Sequence, residues 1–317
     1  MHIAVLMGGW SAEREVSLSS GTAVAKALEE NGHKVTKIDA GADVQQRLAM
    51  AKPDAVFNAL HGRWGEDGCV QGLLEIMKIP YTHSGVLASA MAMDKPTAKK
   101  IFAFEGLPMA KGIVVHRDQI LGKDPMPKPY VVKPINEGSS VGVSIILEGD
   151  NFVFTADNWP YGEWVLVEEY IKGREIQVAV LDGKALGAIE IKPLGRFYDY
   201  TAKYTDGQAQ HLMPAPIPAG DYKLVCEYAE RAHNSLGCRG LTRSDFRYDD
   251  GKFYILETNT QPGMTPLSLS PEIAAHAGIT FNQLVEHLIQ GATLDNKSEK
   301  SHGEKTGSQA DRAREAV

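Results

Sequence analysis

Residues 252–269, KFYILETNTQPGMTPLSL, constrain this chain more than any other stretch, because apolar and polar positions alternate in a run that reads as one strand. Strand side chains alternate faces, so Phe253, Ile255, Glu257 and Asn259 are expected to point the same way. An acid and an amide then share one surface. Residues 241–248 read as a second strand, and Asp249-Asp250-Gly251 supplies the turn that folds the two into a hairpin. Arg243 and Asp245 then lie near Glu257. A two-residue loop would set Asp245 opposite Leu256, whereas a longer loop can set it opposite Glu257 on the same face. The longer loop is the one expected.

Two carboxylates and an amide oxygen, from Asp245, Glu257 and Asn259, are hard ligands suited to Mg²⁺ or Mn²⁺. Such ions keep waters and bridge substrate phosphates, so the implied partner is a nucleotide. After Asn259 the chain runs through Pro262-Gly263-Met264-Thr265-Pro266 to Ser268 and Leu269, a turn rich in backbone N–H groups ahead of a helix. A turn of this kind can hold an oxyanion or a carboxylate.

Composition narrows the partners. At 317 residues, 43% hydrophobic and 23% charged, the chain has room for two or three domains. Its net charge of −7, with no basic run, argues against a nucleic-acid partner. The opening MHIAVLMGGW has no basic leader and no long apolar stretch follows, so no membrane partner and a cytoplasmic location are expected. Cys69, Cys226 and Cys238 lack metal-type spacing and read as buried thiols in a reducing compartment.

Residues 3–7 read as a buried strand, 16–28 as a helix ending at Gly32, 35–38 and 55–60 as strands, and 70–77 as a helix. That alternation implies a parallel, Rossmann-like sheet, although no dinucleotide fingerprint is present. Polar residues cluster at its strand ends: Ser11, Glu13, Arg14 and Glu15 after the first strand, and His61, Glu66 and Asp67 after the third. Ligands bind at such ends. A helix at 96–105 follows Asp94-Lys95, then strands at 130–134 and 143–147 joined by a glycine-bearing loop, with Lys133 on the strand leading in. Strands are read at 165–167 and 175–181, one of them an edge able to pair with an adenine. Residues 193–218, without periodicity, read as a lid or a disordered insert. Helices at 222–236 and 281–289 close the fold, and 296–317, poor in apolar residues, reads as a disordered tail.

Seven stretches together resemble the D-alanine–D-alanine ligase family of the ATP-grasp superfamily: residues 8–21 (GGWSAEREVSLSSG), 61–72 (HGRWGEDGCVQG), 93–95 (MDK), 131–142 (VVKPINEGSSVG), 197–204 (FYDYTAKY), 243–245 (RSD) and 256–269 (LETNTQPGMTPLSL). The resemblance spans residues 3–294. It implies an α/β and α+β fold with a Rossmann-like domain at 1–84, a central ATP-grasp subdomain at 85–167, a C-terminal one at 168–295 and the tail at 296–317. It further implies ligation of two D-alanine molecules with ATP as co-substrate, through an acyl phosphate, and a homodimer.

By that resemblance Lys95 and Lys133 contact the ATP phosphates and Lys203 the γ-phosphate. Glu168 and Glu175 take the adenine and ribose, with backbone at Glu169, Tyr170 and Ile171 pairing the adenine. Asp245, Glu257 and Asn259 hold two Mg²⁺ or Mn²⁺. Glu15 takes the first D-alanine's ammonium, with His61 beside it. Ser139 and Tyr204 complete a hydrogen-bonded set with Glu15, while Arg243 and the N–H of Gly263 stabilise the oxyanion. Ser268 and the N–H of Leu269 take the second carboxylate. The chain departs from the family pattern at Glu169, where lysine is common, and at Thr201.

Overall fold

The computed structural model describes residues 1–138, 142–193 and 209–295. Its first unit comprises β1 (His2–Met7), α1 (Arg14–Glu30), β2 (Lys34–Asp39), α2 (Val44–Ala51), β3 (Ala55–Asn58) and α3 (Cys69–Met77). The strands form a parallel sheet in the order β2-β1-β3. Residues 3–7 of β1 are all buried, as a strand covered on both faces requires. Ile3 and Val5 join Val24, Leu28 and Phe57 in one core, while Ala4 and Leu6 join Leu48, Val56 and Leu74 in another.

Next come α4 (Val86–Met93), α5 (Lys95–Phe104), β4 (Gly112–His116), β5 (Tyr130–Pro134), β6 (Ser144–Ile146) and β7 (Trp164–Glu169). Their antiparallel sheet has the order β4-β7-β5-β6. β4 escaped the sequence reading because Gly112, Ile113 and Val114 are all exposed, so no alternation marks it. The expectation that 165–167 or 175–181 is an edge strand is corrected: β7 lies between β4 and β5, and the strand over 175–181 is likewise interior to its own sheet. β7 also runs through the boundary expected at 167/168, so the break between sheets falls after Glu169.

The last unit holds β8 (Arg174–Leu181), β9 (Lys184–Pro193), β10 (Ala209–Leu212), α6 (Ala219–Ser235), β11 (Leu241–Asp249), β12 (Lys252–Asn259), α7 (Leu269–His276) and α8 (Phe281–Gln290). Their sheet order is β10-β9-β8-β11-β12. Residues 193–218 are therefore not wholly irregular: β10 pairs antiparallel with β9, Ala209 opposite Pro193, on the near side of residues outside the described set. The tail at 296–317 also lies outside it.

The hairpin corrects two expectations at once. Its loop is the short one, Asp250-Gly251 with φ of 46° and 74°, the left-handed pair that a type I′ turn needs, and Asp249 faces Lys252. Asp245 nonetheless faces Glu257, because the register slips by one residue between Asp245 and Phe246, where Ile255 pairs with Phe246 and Leu256 is the extra residue. A β-bulge does this. It also reverses the parity of β12: Phe253 and Ile255 enter the core with Phe246, while Glu257 and Asn259 turn to the opposite face with Asp245 and Arg243. The four residues do not share one surface.

One core fills the space between this sheet, α5 and α6, with Ile176, Val178, Val180, Phe246, Phe253 and Ile255 contributed by strands. On the other face Ala179, Ile189 and Leu241 meet α7, α8 and the first unit's sheet in a single continuous core. The thiols are less buried than expected: Cys69 is exposed at the start of α3, and Cys226 and Cys238 are half-buried.

Phe246 is buried and packs edge-to-face on Phe253. Replacing it with alanine opens a cavity beneath the bulge and should cost about 3–5 kcal/mol. Urea unfolding followed by circular dichroism reads this as a lower midpoint at constant slope.

Candidate active site

Three strands place polar side chains on one face of the larger sheet. The register aligns Gln177, Asp245 and Glu257 across β8, β11 and β12, with Glu175 opposite Arg247 on one side and Ala179, Arg243 and Asn259 aligned on the other. Arg243 grips Asp245 with both arms of its guanidinium, Nε at 2.8 Å and Nη2 at 3.0 Å. Arg247 approaches Glu175 at 3.7 Å. Gln177, which the sequence reading passed over, is buried among them and donates to Glu175 at 3.3 Å, while its own carbonyl oxygen meets no partner among the described residues.

Asn259 bends the chain beyond β12, its Oδ1 accepting the Gln261 amide at 2.8 Å. Its oxygen retains a second lone pair. No group of three His, Cys, Asp or Glu poised to hold a metal occurs among the described residues. The donor set here is instead two carboxylates and an amide oxygen on one face, which fits an ion that draws the rest of its shell from water and phosphate.

Lysines approach from the middle unit. Asp94 caps α5 by accepting the Thr97 amide at 2.9 Å, which makes Lys95 the first helical residue. The Lys95 ammonium donates to the Glu137 carbonyl and lies 3.9 Å from Glu257. Burial pulls its pKa below the ordinary lysine value, with Glu257 pulling the other way. Lys133 on β5 pairs with Glu168 at 2.6 Å, and Lys99, one turn beyond Lys95, holds the other oxygen of the same carboxylate. Burial works to raise the Glu168 pKa, but Lys133 and Lys99 outweigh it and hold the carboxyl below its usual range. Lys99 had no part in the sequence reading; its i,i+4 spacing from Lys95 was the available signal. The amides of Glu169 and Tyr170 bond to the carbonyls of Lys111 and Pro129 at 2.9 and 3.2 Å.

The first unit contributes a third wall, where the resemblance sets Glu15. Glu15 is exposed in the first turn of α1, whereas Glu13, immediately before the helix, is buried. The Glu13 carboxylate lies between Gly62 and Gly138: a Cβ added at either glycine would come within 2.9 and 3.2 Å of its Oε2. Helical phase explains the difference, since Glu13 lies three, four and seven residues before the buried Val16, Ser17 and Ser20. Glu15 falls off that stripe.

His61 is buried between Glu66, 3.1 Å from its Nδ1, and Ser20, 3.0 Å from its Nε2. Burial lowers the His61 pKa and pushes the Glu66 carboxyl up to about 8. Both shifts favour the uncharged form of the pair. Ser20 also accepts the Met264 amide at 3.2 Å, tying α1 to the turn that carries Gly263. In that turn Ser268 Oγ accepts the Thr265 amide at 3.0 Å, and a Cβ at Gly263 would come within 2.7 Å of it. Leu269 opens α7, so its N–H belongs to the helix's unbonded first turn.

The structure thus brings Lys95, Lys133, Glu168, Glu175, His61, Arg243, Asp245, Glu257, Asn259, Gly263, Ser268 and Leu269 around one region, and sets Glu15 apart. A cleft opens among Glu66, Met93, Lys95, Gly138, Glu257 and Asn259. Ser139, Lys203 and Tyr204 lie outside the described residues.

Comparison with known proteins bears on the family and the fold. The family model described as "D-ala D-ala ligase C-terminus" matches residues 105–290, and "D-ala D-ala ligase N-terminus" matches 39–84. The chain is 53% identical to a D-alanine–D-alanine ligase of Rickettsia felis over 298 residues, 93% of each protein. It is also 53% identical to that of Parvibaculum lavamentivorans over 302 residues, 93% of this chain and 98% of the relative. A crystal structure of the Bacillus anthracis D-alanine–D-alanine ligase complexed with ATP superposes with a TM-score of 0.79 at 32% identity, covering 92% of this chain and 96% of that one. The architecture is accordingly the expected ATP-grasp fold, with mixed helices and sheets and a parallel N-terminal sheet.

The buried Glu66 makes stability depend on pH. Its folded pKa exceeds the unfolded value, so its stabilising contribution is complete below about pH 4.5 and is lost as pH rises through about 8. Glu66→Gln cannot ionise. Its melting temperature should gain on the parent protein by several degrees between pH 5 and pH 8.5, as read by differential scanning fluorimetry.

Proposed function

We propose a function from one premise: this chain belongs to the D-alanine–D-alanine ligase family. It joins two D-alanine molecules into D-alanyl-D-alanine, a peptidoglycan precursor, with ATP converted to ADP and phosphate. The observation that carries this reading is the convergence of Asp245 and Glu257, paired across the hairpin, with Lys95 3.9 Å from Glu257 at one cleft. Anionic carboxylate and anionic triphosphate must meet there, and that encounter needs concentrated positive charge.

The first D-alanine's carboxylate attacks the γ-phosphorus, ADP leaves, and the acyl phosphate so formed is attacked at its carbonyl carbon by the amine of the second D-alanine. That amine gives up a proton, phosphate departs, and a peptide bond remains. Asp245, Glu257 and Asn259 would hold two Mg²⁺ or Mn²⁺, which would supply positive charge to neutralise the phosphate oxygens. Lys95 and Lys133 hold the phosphates, and Lys203 joins them at the γ-phosphate. Glu168 and Glu175 serve the adenine and ribose. Because the Glu169 and Tyr170 amides are already bonded, adenine pairing falls to Ile171 and to carbonyl groups of this segment.

Glu13 rather than Glu15 takes the first ammonium, since a buried carboxylate binds a cation more strongly than a solvated one. His61, whose burial favours the neutral ring, borders that position. Ser139 and Tyr204 complete the set by family resemblance. Arg243, turning from Asp245, and the Gly263 N–H stabilise the oxyanion. The opening turn of α7, with Ser268 and the Leu269 N–H, receives the second carboxylate. Among the described residues no helix is long and apolar enough to cross a membrane. A reaction that consumes ATP suits the cytoplasm, where we place the enzyme. It acts as a homodimer; the exposed Ile76 on α3 and Leu87 on α4 offer apolar surface to a second copy.

Incubation with MgATP and D-alanine should release phosphate and yield the dipeptide by mass spectrometry, with nothing formed from L-alanine. Absence of dipeptide would overturn the reading. Glu257→Gln should lower turnover by about 10²–10³-fold with the melting temperature retained. Glu13→Gln should raise the KM for D-alanine at least about tenfold, whereas Glu15→Gln should leave it unchanged. The reverse pattern would return the ammonium site to Glu15.

A further inference from the structure

Lys99 has no role in the reaction outlined above, yet it occupies one of the most enclosed ionic sites in the molecule. Its ammonium holds Glu168 Oε1 and also donates to the Ala110 carbonyl at 2.9 Å. Lys133 holds Glu168 Oε2 at 2.6 Å. Glu168 is only 4% exposed. One buried anion therefore carries two cations, one on each oxygen.

The two cations are anchored differently. Lys99 rises from α5, four residues after Lys95, and its second bond to Ala110 fixes it to the segment entering β4. Lys133 sits near the end of β5, ahead of the loop that brings Glu137 to Lys95. If Lys133 were the sole partner of Glu168, moving its ammonium to a phosphate would strand a buried carboxylate, which is among the costliest changes an interior can suffer. With Lys99 in place Glu168 stays paired, and Lys133 can be given to the nucleotide.

We infer that Lys99 is a positioning residue for ATP: by keeping Glu168 paired and fixed it releases Lys133 to the triphosphate. The inference rests on the ligase reading above. Lys99 touches neither substrate nor reacting atoms; it acts through Glu168.

The test is a double-mutant cycle on ATP affinity, measured by isothermal titration calorimetry with a non-hydrolysable ATP analogue and Mg²⁺, alongside steady-state kinetics. Lys99→Met should weaken analogue binding and raise the KM for ATP at least about tenfold, with the KM for D-alanine unchanged. Lys99→Arg, which keeps the charge, should recover most of the loss. In a Glu168→Gln background, where no buried carboxylate remains to be paired, Lys99→Met should change ATP affinity less than about twofold. That double variant also removes the unpaired charge that could unfold Lys99→Met alone, so the cycle stays readable. An unchanged KM for ATP in Lys99→Met, or an equal loss in both backgrounds, would overturn the inference. Failure of the unmutated protein to bind the analogue or make dipeptide would instead overturn the ligase reading.

Discussion

The active face depends on one extra residue in one strand. Leu256 sits where β12 slips against β11, and the slip carries Glu257 and Asn259 away from the core face that Phe253 and Ile255 occupy. A hairpin with the same two-residue turn and no bulge would set Asp245 against Leu256. The short turn and the bulge are thus complementary: the turn fixes the apolar half of the hairpin in register, and the bulge resets parity for the polar half. Core packing and charge placement are satisfied on consecutive stretches of a single strand.

Once that face exists, its relation to the first unit is fixed by side-chain amides. Asn58, at the end of β3, donates to the Gln261 side chain at 2.7 Å and to the Gly65 carbonyl at 3.0 Å, and Gln261 returns a bond to the Leu60 carbonyl. Ser20 adds its link to Met264. These contacts are buried, so each would leave unsatisfied groups if the units parted. The carboxyl ends of the parallel strands and the turn after β12 consequently face one another across the cleft, and Glu13 and His61 are held near Arg243 and Glu257 by a polar network and the continuous apolar core beneath it.

Much of this was legible in the sequence. Alternation gave β12, β11 and the parallel strands, and the ordered set of polar stretches gave the residues around the cleft. What escaped has physical reasons. Glu13 and Glu15 stand in one short polar run, and only the phase of the buried stripe through Val16, Ser17 and Ser20 separates them. β4 and β9 carried no usable period, the first exposed along most of its length and the second merging into a stretch without periodicity. The bulge is invisible to a rule of strict alternation, which is why a longer loop was invoked to reach the right pairing. Lys99 needed helical phase together with the position of Glu168, a contact 69 residues distant in sequence.

The charges of the site are organised as exchangeable pairs. Arg243 is bonded to Asp245, Lys95 lies near Glu257, and Lys133 is bonded to Glu168. Each pair joins a cation suited to an anionic substrate to a carboxylate that has another use or another partner. Isolated ions buried this deeply would be too costly to keep charged, so mutual pairing preserves their ionisation until the substrates arrive. On the proposed reading binding would proceed by exchange: an incoming phosphate would take a lysine or arginine, and the released carboxylate would be left for a metal ion or, for Glu168, with Lys99. The net number of buried unpaired charges stays close to constant throughout. A site that must bring two anions together can in this way be preorganised for negative charge without being unstable when empty of it.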